Sequence, residues 1–368
     1  MKTKRRIVVK VGSSSLASPH GGCDPMKMSR LVASLAQLKA AGHDVALVSS
    51  GSVASGYKPL GYQQRPRSLA ARQASAAVGQ SLLMQAYAEQ FRSYGLPVAQ
   101  VLLTRDDFSN RERYRHAFQT LSLLLGKQVI PVINENDTVS VAELTFGDND
   151  MLGALVAGLI HADLYIVLTD TNGLYDKDPR KHRDARPIPH LETVTAEVTS
   201  LAGSPSALGT GGMRSKLLAA ETALRLGIPC YIGKLSSDRD LLQIVSGAGS
   251  GTYVGRYGIH LRRQCVPVRK QWIALHSPAS GTIRVDSGAA DAILARQRSL
   301  LIAGVREVLG SFSRGNVVEV QCGRQLIGRG ISKYDANELR SLLQTNRQPH
   351  RSRIVIHRDH WAAVPIGT

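Results

Sequence analysis

This chain of 368 residues has few cysteines and no long apolar runs. Disulfide bonds and zinc sites need the first, and membrane-spanning helices need the second. The chain's four cysteines, Cys23, Cys230, Cys265 and Cys322, are scattered and show no paired spacing. Such a distribution favours reduced, buried thiols over disulfides or a zinc site. The apolar runs are short, and Leu155–Ile160 falls far below the about 20 residues of a membrane-spanning helix. We therefore expect neither cross-links nor membrane insertion.

A cleavable secretory leader is also not indicated. The first residues, MKTKRRIVVK, are basic but contain no apolar segment followed by a small-residue cleavage site. The hydrophobic content of 43% is typical of a globular protein. From these features we expect a cytoplasmic protein. The length predicts two domains, because a single core rarely grows beyond about 250–300 residues.

Two common catalytic patterns are missing as well. The sequence contains neither a nucleophile elbow nor an arrangement that suggests a Ser-His-Asp triad. The glycine-rich stretch LGTGGMRSKL fails the Walker pattern, because Ser215 precedes Lys216 and Leu217 follows it. The stretch is therefore a candidate phosphate loop of some other kind.

The formal charge of +18 is unevenly distributed. From Arg256 onward there are 18 Lys and Arg against 7 Asp and Glu, a net +11. A basic C-terminal part is compatible with nucleic acid binding. It is equally compatible with a solvated, arginine-rich surface, and charge alone favours the second interpretation.

The first part of the chain alternates short β-branched runs with longer helical patterns. The predicted strands are RIVVKV, DVALVSS, PVAQVLLT, QVIPVIN, DLYIVLTD and IPCYIG. Strands that are apolar on both faces and alternate with helices predict an α/β fold, with a mostly parallel sheet sandwiched by helices. The glycine-rich GAGSGTYVGRYG is interpreted as a domain edge. We predict a first domain at 1–258, a linker at 259–272 and a small, mainly β domain at 273–368.

Polar and glycine-rich segments follow the predicted strands of the first domain. They are KVGSSSL, SSGSVASG, NEND, TDTNGLYDKDP and the helix-opening GTGGMRSK. Each one alone is a weak signal, since loops carry such residues for turn formation. Ligands of open α/β sheets bind beyond the carboxyl ends of the strands. Five such segments at one sheet edge therefore predict a binding site there.

Several of these residues suit a phosphate ligand. Gly12 after a strand and Gly211–Gly212 before a helix allow backbone N–H groups to approach an anion. Lys10 and Lys216 would then be point charges directed at phosphate. Lys10 ends an apolar strand, where a charge is costly without a purpose.

Three polar residues in FGDND, Asp148, Asn149 and Asp150, precede an apolar helix and exceed what a helix cap needs. Carboxylates beside phosphate-binding lysines can hold those lysines and help to retain magnesium. No histidine base is evident in this set. Such a site suits an acceptor already ionised at neutral pH, and a carboxylate meets that condition.

At this point the sequence resembles the amino acid kinase family. The resemblance covers about Arg5 to Gly258 through VVKVGSSSL, VALVSSGSVASG, VIPVINENDTV, FGDND, LTDTNGLYDKDPR and GTGGMRSK. The pair INEND and FGDND is its most specific element. The C-terminal part resembles a PUA domain, through GTIRVDSGAADAIL, IGRGISKYDANEL and IVIHRDH.

The resemblance implies the amino acid kinase fold followed by a small, mainly β PUA domain. It also implies ATP-dependent phosphorylation of the γ-carboxylate of L-glutamate to γ-glutamyl phosphate, the first step of proline biosynthesis. Mg²⁺ would accompany ATP, proline would inhibit, and the protein would form a homo-oligomer, either a dimer or a tetramer.

Residue roles follow from the same resemblance. Lys10 and Lys216 would stabilise the transferring phosphoryl group, and Asp150 would orient both lysines. The glutamate-binding residues would be Ser50, Asp137 and Asn149. The ATP-binding residues would be Lys10, Thr169, Asp170, Thr210, Gly211, Gly212, Met213, Arg214, Ser215 and Lys216. No side chain is assigned as a metal ligand.

Three positions depart from the family pattern. Ser52 stands where alanine is usual, and Ser215 replaces a threonine; we expect both changes to be tolerated. Thr145 stands where a basic residue is common, and it could change glutamate affinity or proline inhibition.

Two alternatives stay open. The first is a kinase of the same fold acting on N-acetylglutamate, aspartate or a nucleoside monophosphate, against which NEND and the PUA-like part argue. The second is an RNA-binding protein that acts through 273–368 and carries a degenerate kinase domain. The intact set of Lys10, Asp150 and Lys216 argues against it, and a kinase that also binds RNA is compatible with the sequence.

Overall fold

The computed structural model describes residues 4–16, 18, 22–140, 149–202, 212–256, 273, 279–344 and 352–363. The chain divides into two compact units. The first comprises Met1–Asp107 and His116–Gln264, and the second comprises Phe108–Arg115 and Cys265–Thr368. The predicted linker, 259–272, lies outside the described residues, so the domain limits stay a prediction.

The described strands of the first unit form an eight-stranded sheet in the order β3-β4-β2-β1-β5-β9-β10-β8, with a separate pair β6-β7. The strands are β1 Arg6–Val11, β2 Asp44–Ser49, β3 Val98–Leu103, β4 Ile130–Glu135, β5 Leu164–Leu168, β6 Leu174–Tyr175, β7 Pro187–Ile188, β8 His190–Leu191, β9 Cys230–Gly233 and β10 Thr252–Val254. The helices up to Ser246 are α1 Ser13–Leu16, α2 Pro25–Ala40, α3 Ser52–Gly56, α4 Leu69–Arg92, α5 Arg105–Ser109, α6 Arg111–Gly126, α7 Asn149–Leu159, α8 Ala196–Ser200, α9 Met213–Arg225 and α10 Asp240–Ser246.

The centre of this sheet is parallel, as the sequence predicts. Strand β1 pairs in parallel with β2 and β5, so that Lys10 lies between Val48 and Val167. Ile7 and Val9 in β1 are fully buried and belong to the hydrophobic core. Side chains buried on both faces leave the strand ends as the places where polar groups can meet a ligand.

The sequence predicts long helices between the strands at about 25–41, 68–94, 111–126, 150–161 and 213–226, and these agree with α2, α4, α6, α7 and α9. Inside the predicted first domain, the glycine-rich stretch near residue 250 contains a short strand that the sequence pattern does not predict. Thr252–Val254 forms β10, antiparallel to β9, and so belongs to the main sheet. A Cβ at Gly251 would lie 2.4 Å from the carbonyl oxygen of Ile232, so the glycine permits a close approach of two strands rather than marking a linker.

The second unit has a hydrophobic core of its own, and it is mainly β. Its described five-stranded sheet has the order β13-β11-β14-β15-β17, and β12 pairs with β16. The elements are β11 Gly281–Val285, α11 Ser287–Leu294, β12 Leu300–Leu301, β13 Val305–Gly310, β14 Val317–Cys322, β15 Gln325–Ile331, α12 Ala336–Gln344, β16 Ile354–Ile356 and β17 Trp361–Ala363. The sequence also predicts a strand before β11, WIALHS at 272–277, which lies outside the described residues except for Ile273.

Within the described parts of the chain, no helix is both long and apolar enough to cross a membrane.

Candidate active site

Three charged side chains meet at the carboxyl edge of the parallel sheet. Lys10 is the penultimate residue of β1, Asp150 is the second residue of α7, and Lys216 lies in the first turn of α9. Asp150 is fully buried, and Lys10 and Lys216 are only 2% and 7% exposed. Three separate elements are thus needed to bring these groups together.

Asp150 forms an ion pair with each lysine. Lys10 Nζ lies 2.5 Å from Asp150 Oδ1, and Lys216 Nζ lies 3.0 Å from Asp150 Oδ2. Because buried charges are costly unless paired, one carboxylate shared by two ammonium groups holds both of them in place. The three groups carry a formal net charge of +1, which suits an anionic ligand such as a phosphate group.

The start of α9 adds to this anion-binding character. Gly212 is its N-cap residue, and glycine has no side chain to occupy the first N–H groups of the helix. Such N–H groups, with the positive end of the helix dipole, commonly bind phosphate. The Ser215 hydroxyl lies 3.1 Å from Asp150 Oδ2 and 2.9 Å from the Gly212 carbonyl oxygen, so it ties the start of α9 to the ion cluster.

The backbone of α7 is fixed at the same point. Tyr165 in β5 donates its hydroxyl hydrogen to the carbonyl oxygen of Asp150 at 2.7 Å. A Cβ at Gly153, one turn further along α7, would lie 2.4 Å from this hydroxyl oxygen. The glycine therefore lets α7 approach the sheet closely enough for Asp150 to reach both lysines.

Beside the ion cluster lies a set of neutral polar groups. The Asn149 amide donates to Ser50 Oγ at 2.9 Å and to Asn134 Oδ1 at 2.8 Å. Ser50 follows β2, where Gly51 adopts a φ of 120° and turns the chain into α3. Asn134 lies near the end of β4, which pairs with β2. The two predicted glutamate-binding residues Ser50 and Asn149 are therefore in direct contact.

Asp137, the third predicted glutamate-binding residue, lies just beyond β4. Its Oδ2 accepts a hydrogen bond of 2.9 Å from the Ser52 hydroxyl. Burial raises the pKa of the Asp137 carboxyl above its ordinary value, although the Ser52 hydrogen bond and the charges of Arg72 and Arg65 act in the opposite direction. Asp137 thus combines partial burial with a single close hydroxyl donor.

A cavity of about 220 Å³ opens beside Asp137. Ser52 and Gln80 line it from the helical side. Gln100 in β3, Glu135 at the end of β4 and Asp137 just beyond it line the other side. Ala76, Ala77 and Leu102 add apolar surface to the lining, so the cavity suits a small organic molecule with both polar and apolar groups.

Some of the predicted ATP-binding residues lie in the part of the chain that the structure describes, and others do not. Thr169 and Asp170 follow β5, next to the strand that carries Lys10, and the Thr169 hydroxyl donates to Asp170 Oδ1 at 3.1 Å. Met213 and Arg214 begin α9 together with Ser215. Thr210, Gly211 and the departure at Thr145 lie outside the described residues.

This geometry agrees with the comparison of the sequence with protein families. Residues 5–234 match the model of the amino acid kinase family. The chain belongs to the amino acid kinase family. In this amino acid kinase, the buried set of Lys10, Asp150 and Lys216 lies within the matched region. A degenerate kinase domain is not favoured, because all three side chains are present and in contact.

Two relatives that match nearly the full length of this amino acid kinase carry the same name. Glutamate 5-kinase from Bacillus cereus (strain B4264) is 52% identical over 371 residues, which is 98% of this chain and 100% of the relative. Glutamate 5-kinase 1 from Bacillus licheniformis is 50% identical over 365 residues, with 98% and 99% covered. The predicted resemblance is thereby confirmed along the whole chain.

Two further findings concern the fold. Carbamate kinase from Giardia lamblia bound to AMP-PNP has a TM-score of 0.51 and 16% identity, and it covers 70% of this chain and 100% of its own. At that identity the likeness supports the fold alone. Residues 281–346 match the PUA domain model, which confirms the predicted type of the second domain.

Several contributors to this site were not found from the sequence. Asn134 was seen only as part of NEND, and Gln80 lies inside a long helix without any motif. Ser52 was treated as a neutral departure, yet it bonds directly to Asp137. A polar residue at a core-facing helix position, such as Gln80, was the one signal that could have pointed to this set.

Proposed function

We propose that this chain is a glutamate 5-kinase, which transfers the γ-phosphoryl group of ATP to the γ-carboxylate of L-glutamate. The observation that carries the proposal is the buried carboxylate of Asp150 shared between Lys10 and Lys216. The full-length relatives named glutamate 5-kinase support the same acceptor.

In the reaction, a γ-carboxylate oxygen of glutamate attacks the γ-phosphorus of ATP. The new O–P bond forms as the bond to the β-phosphate oxygen breaks, and ADP leaves with that electron pair. The acceptor is ionised at neutral pH, so no general base is required. Catalysis then rests on positioning and on neutralising the charge of the transferring group.

The two lysines carry out that neutralisation. The net charge of +1 on the ion cluster is available to the phosphoryl oxygens, and Asp150 keeps both ammonium groups in fixed positions. Groups held in advance cost no reorganisation when charge develops in the transition state. The N–H groups at the start of α9 would bind the ATP phosphates.

Mg²⁺ is proposed as the companion of ATP, and it would neutralise phosphate charge when bound. Nucleotide-bound Mg²⁺ takes its ligands chiefly from phosphate oxygens and water. This fits the ion cluster, because both carboxylate oxygens of Asp150 already face lysines.

The amino acid would lie beside the cluster, with Asp137 facing the α-ammonium group. A carboxylate is the natural partner of an ammonium ion. Ser50 and Asn149 would make the remaining contacts with the α-ammonium and α-carboxylate groups. Inhibition by proline and assembly into a homo-oligomer remain predictions that come from the resemblance to the family.

The direct test is the ATP- and magnesium-dependent formation of an acyl phosphate, trapped with hydroxylamine. L-Glutamate, N-acetyl-L-glutamate and L-aspartate are compared in parallel. We expect product with L-glutamate alone, and suppression by proline. Product confined to another acceptor would overturn the proposed substrate and leave the roles of the lysines standing.

A further inference from the structure

Four side chains form a continuous hydrogen-bonded row, which we call the amide row: Gln80, Asn134, Asn149 and Ser50. Asn134 Nδ2 donates to Gln80 Oε1 at 2.9 Å, and Asn149 Nδ2 donates to Asn134 Oδ1 at 2.8 Å. Asn149 Nδ2 also donates to Ser50 Oγ at 2.9 Å. The row thus leads from inside α4 to the predicted glutamate-binding residues.

The direction of the row follows from one rigid donor. The backbone N–H of Glu135 lies 2.9 Å from the atom at Asn134 Oδ1. A backbone N–H can only donate, so this atom of Asn134 must be the oxygen. The NH₂ group of Asn134 must then face Gln80, and the side-chain atom of Gln80 that it meets must be an oxygen. The assignment of the amide groups is therefore fixed by the chain itself rather than chosen freely.

The same logic fixes what Asn149 and Ser50 can offer to a ligand. Both N–H bonds of the Asn149 amide are directed to protein acceptors, with Asn134 Oδ1 and Ser50 Oγ the nearest and the Ser49 carbonyl oxygen at 3.4 Å. Asn149 is left with its carbonyl oxygen, which can only accept. Ser50 Oγ accepts from Asn149, so its own hydroxyl hydrogen remains available to donate.

We propose that Gln80 is a positioning residue that holds the amide row in this direction, so that Asn149 accepts from the α-ammonium group of the amino acid and Ser50 donates to its carboxylate. The inference rests on the proposed function, because it assumes that the acceptor is an amino acid. It assigns a role to Gln80, which lies in no motif. It also specifies that Asn149 acts as a hydrogen-bond acceptor toward the ligand and Ser50 as a donor.

The position of Gln80 explains why this row is stable. Gln80 and Asn134 are only 7% and 2% exposed, so water cannot readily replace a lost partner. A Cβ at Gly79 would lie 1.8 Å from the Ser52 carbonyl oxygen, so this glycine lets α4 approach α3 and brings Gln80 to the row. Leaving a buried amide without its partner costs about 1–3 kcal/mol.

The test uses Gln80→Met, which keeps the shape of the side chain. It removes the oxygen acceptor and also the Nε2 donor, which lies 3.4 Å from Gln100 Oε1. We expect the KM for L-glutamate to rise about tenfold, with kcat and the KM for ATP within about twofold, since one lost buried hydrogen bond is worth about 1–3 kcal/mol. Glutarate, which lacks the amino group, serves as a competitive inhibitor against L-glutamate. Its inhibition constant should change less than about twofold, because the contact from Asn149 is not made.

Two further variants complete the test. Gln80→Glu presents an oxygen acceptor in either protonation state, so it should keep the KM for L-glutamate within about threefold of the original. Gln85→Met makes the same chemical change at an exposed position of α4, where the amide donates to Glu89. It should leave kcat, both KM values and the inhibition constant of glutarate unchanged. Thermal unfolding of each variant checks that it is folded.

The outcomes separate the two proposals. An equal loss for L-glutamate and glutarate in Gln80→Met would overturn the assigned direction, and an unchanged KM would remove Gln80 from the site. If Gln80→Met does not fold, a tenfold rise in KM for the folded Gln80→Glu variant would overturn the inference alone. If the unmodified protein forms no product with L-glutamate, the proposed function fails, and the inference fails with it.

Discussion

The two ends of the candidate site are built from different chemistry although they share the start of one helix. Asp150 organises a buried ionic end with Lys10 and Lys216, whereas the preceding residue, Asn149, joins a neutral end with Ser50 and Asn134. Ions suit the end at which we propose that phosphoryl transfer occurs, because charges held in place can stabilise the charge that develops there. Neutral amides suit the end where a small molecule must be recognised, because their hydrogen bonds have a direction.

The ionic end should give the largest effects. Asp150→Asn removes the carboxylate between two buried lysines, and we expect kcat to fall by about 10²–10³. The free energy of unfolding should fall by about 3–5 kcal/mol, because two buried ammonium groups lose their partner. Bound ATP should restore part of that stability, since its phosphates supply negative charge. Urea unfolding with and without ATP, alongside kcat, measures both effects.

A matched control for this variant is Glu221→Gln on α9. It makes the same carboxylate-to-amide change in an exposed pair with Arg225, and its cost should stay below about 1 kcal/mol. If Asp150→Asn lowered kcat and the free energy of unfolding no more than this control does, the buried carboxylate would have no organising role.

Lys216→Ala should separate the two ends of the site. We expect kcat to fall by about 10²-fold, because one donor to the transferring phosphoryl group is lost. The dissociation constant for L-glutamate should stay within a few-fold, since the neutral end is untouched. Arg225→Ala, an exposed cation at the end of the same helix, should change neither quantity. Near-normal turnover in Lys216→Ala would remove this lysine from the mechanism.

Asp137→Ala should affect the amino acid end and spare the ionic one. Loss of the ammonium partner should raise the KM for L-glutamate by about 10- to 100-fold, in line with about 1.5–3 kcal/mol for a charged hydrogen bond. Turnover at saturating glutamate should fall much less. An unchanged KM would show that the ammonium group is held elsewhere.

The pH dependence of the same residue offers a second test. Burial raises the pKa of Asp137, so its carboxylate protonates at a higher pH than an exposed aspartate would. The carboxylate form binds an ammonium ion, so the KM for L-glutamate should rise as the pH falls through this raised pKa. Asp137→Asn cannot titrate and should lose that acid limb. A KM profile that is the same in both proteins would contradict this account.

Ser52→Ala should give the smallest effect. Its hydroxyl donates to Asp137 and thereby lowers the pKa of that carboxyl. Removing it should raise the pKa of Asp137 further and move the acid limb of the KM profile upward by less than about one pH unit, since one unit corresponds to about 1.4 kcal/mol. Ser81→Ala, an exposed position that also lines the cavity, is the matched control. A downward shift would contradict the proposed contact.

The ionic end was the easier one to predict from the sequence. A lysine inside an apolar strand and a cluster of acidic residues before an apolar helix are each costly unless they are used, so Lys10 and Asp150 stand out without a structure. Gln80, which supports the neutral end, carries no such signal. It is one of four glutamines in a 24-residue helix, and its role depends on which face of that helix meets β4.

The glycine-rich stretch around Gly251 is a second case in which the local sequence does not reveal why a residue is needed. Glycine clusters mark turns and linkers when only the local sequence is considered. Here the glycine is needed because another strand approaches it, and that strand, β9, is about 20 residues away in sequence. Local patterns cannot report a contact of this kind.

The sequence by itself therefore determined the alternation of strands and helices and the sheet edge where the site forms. It also determined which charged residues lie in apolar segments, where burying a charge is costly unless the charge has a function. Those features follow from hydrophobic periodicity and from the cost of burying charge, which act on each segment separately. Only the tertiary structure decided which Asp150 oxygen each lysine contacts, and that a backbone N–H sets the direction of the amide row. Both depend on distances between segments far apart in the chain, and a hydrogen bond acquires its sense only when donor and acceptor meet.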